Sequence, residues 1–204
     1  MGTVELSQLK ALRARIREIE GRPAVLTRRH RTGLSQIDEV LGGLPRPGIV
    51  ALLGSRGTGA LRLLLGLMAA HTMSQRGVWI DVPGQLYPPT AWAMGVEADR
   101  LLVVRPPEDR AGWAVEQVAR SGCFGMVAVS LPASMEGFGA RWAQAARVGA
   151  CTLCVVGERL PRDLQVDLRL ETRDGHAVVK RQRGGQLGAM VSLPPWPEGM
   201  SPWG

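Results

Sequence analysis

Residues 49–61 read IVALLGSRGTGAL, and this stretch constrains the fold more than any other. Five apolar residues in a row are too few for a buried helix and suit a strand covered on both faces. The turn that follows contains three glycines in six residues, and an apolar run with helical spacing comes next. Strand, glycine turn and helix in this order place backbone N–H groups at a helix start, the arrangement that holds phosphate in the pattern G-x-x-x-x-G-K-[ST]. Gly54 and Gly59 have that spacing. The lysine and hydroxyl positions of the pattern are Ala60 and Leu61. A lysine supplies positive charge at the terminal phosphates and the hydroxyl holds Mg²⁺; neither alanine nor leucine does either. The expectation is a nucleotide-site framework without its catalytic groups, with no cofactor and no metal.

The rest of the chain alternates in the same way. Strands are expected at 49–53, 78–81, 101–104, 126–130 and 151–156. Helices are expected at 34–41, with Ser35 as N-cap, then at 60–74, 90–95, 110–121 and 137–148. In the helix over 60–74, Leu61, Leu64, Leu65, Met68 and Ala69 share the apolar face; in that over 110–121, Trp113 and Val118 are among the apolar positions. Strands alternating with helices predict an α/β fold with a mainly parallel central sheet flanked by helices. Residues 164–171 and 176–182 are β-rich and extend the sheet, 42–48 are a Gly/Pro turn cluster, and the chain after Leu193 reads as irregular. There is no internal repeat. The organisation expected is a basic N-terminal helix and arm at 1–31, a core at 32–193 and a Pro/Trp-rich tail at 194–204.

The net charge of +7 is uneven. Residues 1–31 carry eight Lys/Arg against three Glu, an excess of five. Such a concentration fits contact with nucleic acid or an acidic partner, or a solvated arm. The candidate DNA contacts are Arg28, Arg29 and Arg31, together with Lys180, Arg181 and Arg183 beside a glycine pair; a solvated basic turn is the other reading of the second group. Within a helix predicted over 5–20, Leu9, Leu12, Ile16 and Ile19 form a heptad-like stripe. It spans only two heptads and must bury against something, either this domain or a partner. Trp196 and Trp203, set among prolines, are further candidates for partner docking, with a tail tucked onto its own domain as the alternative.

Other chemistries find little support. Cys151 and Cys154 have C-x₂-C spacing inside an apolar strand without a second pair, and strand alternation sends their sulfurs to opposite faces. They read as buried small hydrophobes. Three cysteines make no disulfide framework, which fits a reducing cytoplasm. The apolar runs fall short of the ~18 residues of a membrane span, and no signal-peptide pattern is expected at the N-terminus. His30, His71 and His176 lie far apart and suggest no nucleophile–histidine–carboxylate set. Arg56 and Arg62 would add charge to any anion held by the glycine turn.

Several segments together resemble the RecA ATPase core. TGLSQID at 32–38 is similar to the segment leading into that core, and GGLP at 42–45 to the turn before its first strand. Ile80 and Asp81, then Leu86, Pro88, Ala91, Gly95 and Val96, continue the likeness, as do ARSG at 119–122 and VVK at 178–180. The resemblance covers roughly 30–193. It implies a RecA-like fold and also identifies what has changed. Pro83 stands where the family's catalytic glutamate would be, Ser130 replaces the aspartate that ends the fourth strand, and Thr90 takes the place of the aromatic that stacks on adenine. With Ala60 and Leu61, these losses imply a pseudo-ATPase rather than an enzyme. Among RecA relatives the chain resembles the ImuA group and the related SulA. The ImuA resemblance implies an accessory role in SOS-type DNA damage tolerance. Its implied partners are the Y-family polymerase homologue ImuB, an error-prone DnaE-type polymerase or RecA, with DNA as a further candidate and no membrane. A SulA-like inhibitor of cell division and an ATP-dependent recombinase paralogue are the alternatives. The basic arm weighs against the first, and positions 60, 61, 83 and 130 against the second.

Overall fold

The computed structural model describes residues 28–132, 137–182 and 187–197. The helix expected over 5–20, with Leu9, Leu12, Ile16 and Ile19, lies outside them, as do Arg183 and Trp203.

The chain begins with a short strand β1 (Arg28–His30), helix α1 (Ser35–Leu41) and β2 (Leu44–Arg46). The glycine turn joins β3 (Gly48–Leu53) to α2 (Ala60–Thr72). There follow β4 (Gly77–Asp81), α3 (Pro88–Ala93), β5 (Leu101–Val104), α4 (Glu108–Arg120), β6 (Met126–Ser130), α5 (Gly139–Val148) and β7 (Thr152–Gly157). Three strands close the described chain: β8 (Leu168–Arg173), β9 (His176–Gln182) and β10 (Met190–Ser192). The main sheet has the order β10-β9-β8-β3-β7-β6-β4-β5. Neighbours from β8 through β5 run parallel, and the β8–β9 and β9–β10 pairs are antiparallel. The predicted α/β architecture is therefore the observed one.

Two apolar layers follow from the two-residue period of the strands. Val50 and Leu52 of β3, Trp79, Ala128 and Cys154 face α1 and α2, meeting Ile37, Leu63, Leu64 and Met68. Ile49, Ala51, Leu53, Val78, Ile80, Val127, Val129 and Cys151 face the other way, onto Val115 of α4 and Trp142 of α5. Cys151 and Cys154 thus stand on opposite faces, as their spacing requires.

Local expectations need correction in several places. Ser35 is the first residue of α1 rather than its cap. Leu34 holds the cap position without a side-chain bond, while the Asp38 carboxylate accepts from the Thr32 and Gly33 amides at 2.7 and 3.0 Å. Leu61 is exposed; α2 buries Ala60, Leu63–Met68 and Thr72 because it is covered over more than one stripe. Trp113 is also exposed, and α4 buries Ala111, Ala114, Val115 and Ala119 instead. The turn cluster contains a strand. Pro45 sits in β2, tolerated there because β1 and β2 form a separate two-stranded ribbon with free edges. The β-rich stretch at 164–171 becomes a strand only at Leu168, and a further short strand, β10, joins the sheet ahead of the tail that begins after Leu193. No helix among the described residues is long and apolar enough to cross a membrane.

Candidate functional site

At the carboxyl ends of the parallel strands the connecting loops open a cleft of about 1000 Å³. This is where ligands bind in open α/β sheets, because adjacent loops diverge there and helix N-termini point inward. Gly54, Gly59, Ala60, Leu61, Pro83 and Ser130 all line it. The six positions picked from the sequence, spread over 77 residues, therefore meet in one place. Thr90 does not join them; it lies in α3 and is half-exposed.

The glycines of the loop have separate geometric causes. Gly59 caps α2 in the left-handed region at φ 99°, which L side chains rarely enter. A Cβ there would also overlap the Leu193 side chain. Gly54 has no unusual φ, but a Cβ on it would overlap both the Thr58 and Thr172 hydroxyls. Those hydroxyls lie 2.9 Å apart. Thr58 also donates to the Ser55 carbonyl at 2.8 Å, and Thr172 to the Leu53 carbonyl at 3.2 Å. The two hydroxyl protons can fill two of these three contacts at a time, and whichever hydroxyl donates to the other ties the loop to β8. The Gly54 amide donates to the Gly157 carbonyl at 3.2 Å and closes the loop against β7.

The groups around the cleft are engaged in holding structure. The Ser130 hydroxyl accepts a 3.0 Å bond from the indole N–H of fully buried Trp79. Asp81, fully buried at the end of β4, accepts from the Gln85 and Leu86 amides at 2.9 and 3.0 Å and from Arg105 Nε at 3.2 Å. It therefore shapes the turn that carries Pro83. Ala60 and Leu61 begin α2 and contribute only hydrocarbon to the cleft. Arg56, Arg62 and Arg159 bring positive charge to it, and Glu158 and Asp174 bring negative charge.

The C-terminal segment crosses this region. Leu193 covers Gly59, Pro194 packs on Gly66 of α2, and the Trp196 ring lies 5.5 Å from the Arg62 guanidinium carbon. Arg62 thus stacks on an aromatic face within the chain, an arrangement favoured by the ring quadrupole. Of the two tail tryptophans, Trp196 is tucked against its own domain. The sequence held a signal for this contact only in its small residues: glycine at 59 and 66, about two turns apart on one face, leaves a track for another segment to approach.

The candidate DNA contacts are not gathered at the cleft. Arg28, Arg29 and Arg31 belong to β1 and the residues just after it, on the separate ribbon. Arg29 is half-buried, donates to the Gly43 carbonyl at 3.1 Å, and has its pKa lowered by burial, with Asp167 acting in the opposite direction. Lys180 and Arg181 lie on β9, and Lys180 Nζ is 3.7 Å from Glu171 Oε2. Among the described residues no group of three or more His, Cys, Asp or Glu side chains is placed to hold a metal ion.

Comparison with known proteins places this geometry among RecA-like folds. No family model matches the chain. RecA of Caldanaerobacter subterraneus subsp. tengcongensis is 32% identical over 108 residues, 51% of this chain and 32% of that protein. RecA of Symbiobacterium thermophilum is 33% identical over 108 residues, 51% of this chain and 31% of the relative. RecA of Clostridium novyi is 30% identical over 144 residues, 63% of this chain and 41% of the relative. The chain spans about a third to two-fifths of the length of these relatives. The likeness to RecA, together with the eight-stranded sheet and the loop–helix cleft, supports a RecA-like fold.

Proposed function

We propose that this protein is a non-catalytic RecA-like accessory factor in DNA damage tolerance. It would act as an adaptor that binds RecA or the translesion polymerase components implied by its ImuA resemblance, the Y-family homologue ImuB and a DnaE-type polymerase. The observation that carries this reading is the convergence of Ala60, Leu61, Pro83 and Ser130 in one cleft on a kept loop–helix frame. Each occupies a position where phosphoryl transfer needs an ammonium, a metal-binding hydroxyl, a base or a carboxylate. Phosphoryl transfer is almost entirely positioning and electrostatic stabilisation, so the simultaneous loss of these groups removes the means of catalysis while the fold persists. What replaces them is structural: a hydroxyl that anchors a buried tryptophan and an apolar helix start beneath the C-terminal segment.

The test has two parts on the full chain. Purified protein is incubated with Mg²⁺ and ATP, with and without single-stranded DNA, and phosphate release is followed. The expected rate is that of buffer. Hydrolysis abolished by Gly59→Val would overturn the non-catalytic reading. Tagged protein is then recovered from its host after DNA damage and co-purifying proteins are identified. RecA or translesion polymerases are expected; recovery of the tubulin-like division protein alone would refute the adaptor role in favour of a SulA-like one.

A further inference from the structure

At the opposite end of the sheet from the glycine loop lies a second cavity, of about 270 Å³. One water takes roughly 30 Å³ in the liquid, so the space exceeds a single solvent site. His30 and Arg31 approach it from the end of β1, Arg46 from β2, and His71 and Gln75 from the end of α2 and the turn beyond. Gly125 and Met126 bring the start of β6, and Thr152 the start of β7. The charged and titratable groups in the lining are two arginines and two histidines, with no Asp or Glu.

The side chains converge where glycine lets them pack against the backbone. A Cβ on Gly125 would lie 2.7 Å from His71 Cε1 and 2.9 Å from Arg46 Nη1, and would overlap Gln75 Oε1. Arg46 is held in place by neutral acceptors. Its Nε donates to the Ala150 carbonyl at 2.8 Å and its Nη1 to Gln75 Oε1 at 2.9 Å. These bonds orient the guanidinium without cancelling its charge. His71 Nε2 lies 3.2 Å from the Arg76 carbonyl. A carbonyl can only accept, so that nitrogen carries the proton and Nδ1 is the one that titrates. Burial lowers the His71 pKa most, the bond to Arg76 raises it, and the charges of Arg46 and His30 lower it further. The cavity lining thus holds an oriented guanidinium beside imidazole groups and contains no Asp or Glu; the neighbouring Asp38 carboxylate is engaged by the Thr32 and Gly33 amides.

We propose that this cavity binds a phosphate group, with Arg46 and His71 as its principal contacts and His30 and Arg31 at its mouth. A tetrahedral oxyanion matches guanidinium and imidazolium donors and brings the negative charge that the lining lacks. The group is either a free phosphate or a phosphodiester of single-stranded nucleic acid. Binding either would favour the imidazolium form of His71 and so raise its pKa.

The chain has three histidines, two of them in the cavity and the third, His176, on β9. Imidazole nitrogen resonances of ¹⁵N-labelled full-length protein therefore give both the readout and its internal control. The probe is sulfate, a dianion throughout the titration of histidine, compared with chloride at equal ionic strength. The midpoint of His71 should rise by about half a pH unit or more, and His176, far from the cavity, serves as the control. No rise at His71, or an equal rise at His176, overturns the proposal. Arg46→Gln should abolish the rise while amide spectra stay native. If that variant does not fold, Arg31→Ser combined with His30→Gln, on exposed positions, should weaken sulfate binding several-fold; unchanged binding overturns the proposal. An oligothymidylate of about twelve nucleotides then separates the two sources. Sulfate that displaces it, with displacement lost in the cavity variants, assigns the site to nucleic acid. Sulfate that moves His71 without displacing the oligonucleotide assigns it to a free phosphate ligand.

Discussion

Removing the Ser130 hydroxyl should destabilise the protein measurably, because a buried tryptophan depends on it. Trp79 is fully buried, and its indole N–H donates to Ser130 Oγ at 3.0 Å. Indole has one donor and no alternative use for it. Ser130→Ala deletes the acceptor and little volume, so the cost is that of a buried donor left unpaired, about 1–3 kcal/mol. Position 130 is half-exposed at the cleft, so water can partly replace the hydroxyl. The expected loss is therefore in the lower part of that range, about 1–2 kcal/mol. For a chain of this length each kcal/mol lowers the midpoint by about 2–4 °C, giving a drop of about 2–8 °C in thermal unfolding.

The assay is a double-mutant cycle by denaturant unfolding. Trp79→Phe removes the donor and carries its own packing cost. In that background Ser130→Ala should become nearly neutral, leaving a coupling energy of about 1 kcal/mol between the two sites. A Ser130→Ala melting temperature within about 1 °C of the parent, or equal losses in both backgrounds, refutes the assignment of Ser130 as an anchor for Trp79. Phosphate release from ATP should be the same in all four proteins.

The C-terminal segment gives a second prediction: Leu193→Ala should cost about 2–3 kcal/mol, because a nearly buried side chain leaves the surface of Gly59. Trp196→Ala should cost less, about 1–2 kcal/mol, as a half-buried cation–π pair does. Urea unfolding measures both, and a neutral Leu193→Ala would show that the segment does not hold the loop. The thiols provide a third. Burial pushes Cys154 up to about 12 and Cys151 up to about 11, while Cys123 is exposed. In the native protein near neutral pH, maleimide should label Cys123 alone. Because the native state keeps both buried protons above pH 9, where unfolded thiols lose theirs, this stabilisation is full below pH 9 and falls as pH rises through the folded values. The loss should be on the order of 2 kcal/mol by about pH 10 and absent in Cys151→Ala/Cys154→Ala.

What the sequence could reveal followed from how local each cause was. The parallel strands β3, β4, β6 and β7 were legible because strands covered on both faces need runs of apolar residues, and these runs alternate with helical periods. The opposite orientations of Cys151 and Cys154 followed from the period of two alone. The misplaced features depended on contacts from distant parts of the chain. Leu61 has the right spacing for an apolar face, yet it lines the cleft at the helix start, where no element among the described residues buries it. Trp113 is large and apolar, but the face of α4 that meets β4 and β6 is lined by alanines and Val115, which allow closer approach. The strand β10 has only three residues, and pairing with β9 supplies the order that its composition does not.

The site shows the same division. Absence was readable from the sequence, since Ala60 and Leu61 carry no ammonium or hydroxyl whatever surrounds them. Replacement was not, because it is a relation between distant residues. Ser130 finds Trp79 51 positions away, and Thr58 finds Thr172 114 positions away. Leu193 reaches Gly59 from the other end of the core. These contacts give the glycines of the loop a structural reason to remain without invoking a nucleotide. Gly54 leaves room for two hydroxyls, and Gly59 for Leu193 as well as its positive φ. A loop built to approach phosphate closely is, by the same geometry, one that other parts of the chain can approach closely. The glycine spacing in this protein is therefore accounted for by packing within the chain, independently of whether the loop meets a phosphate.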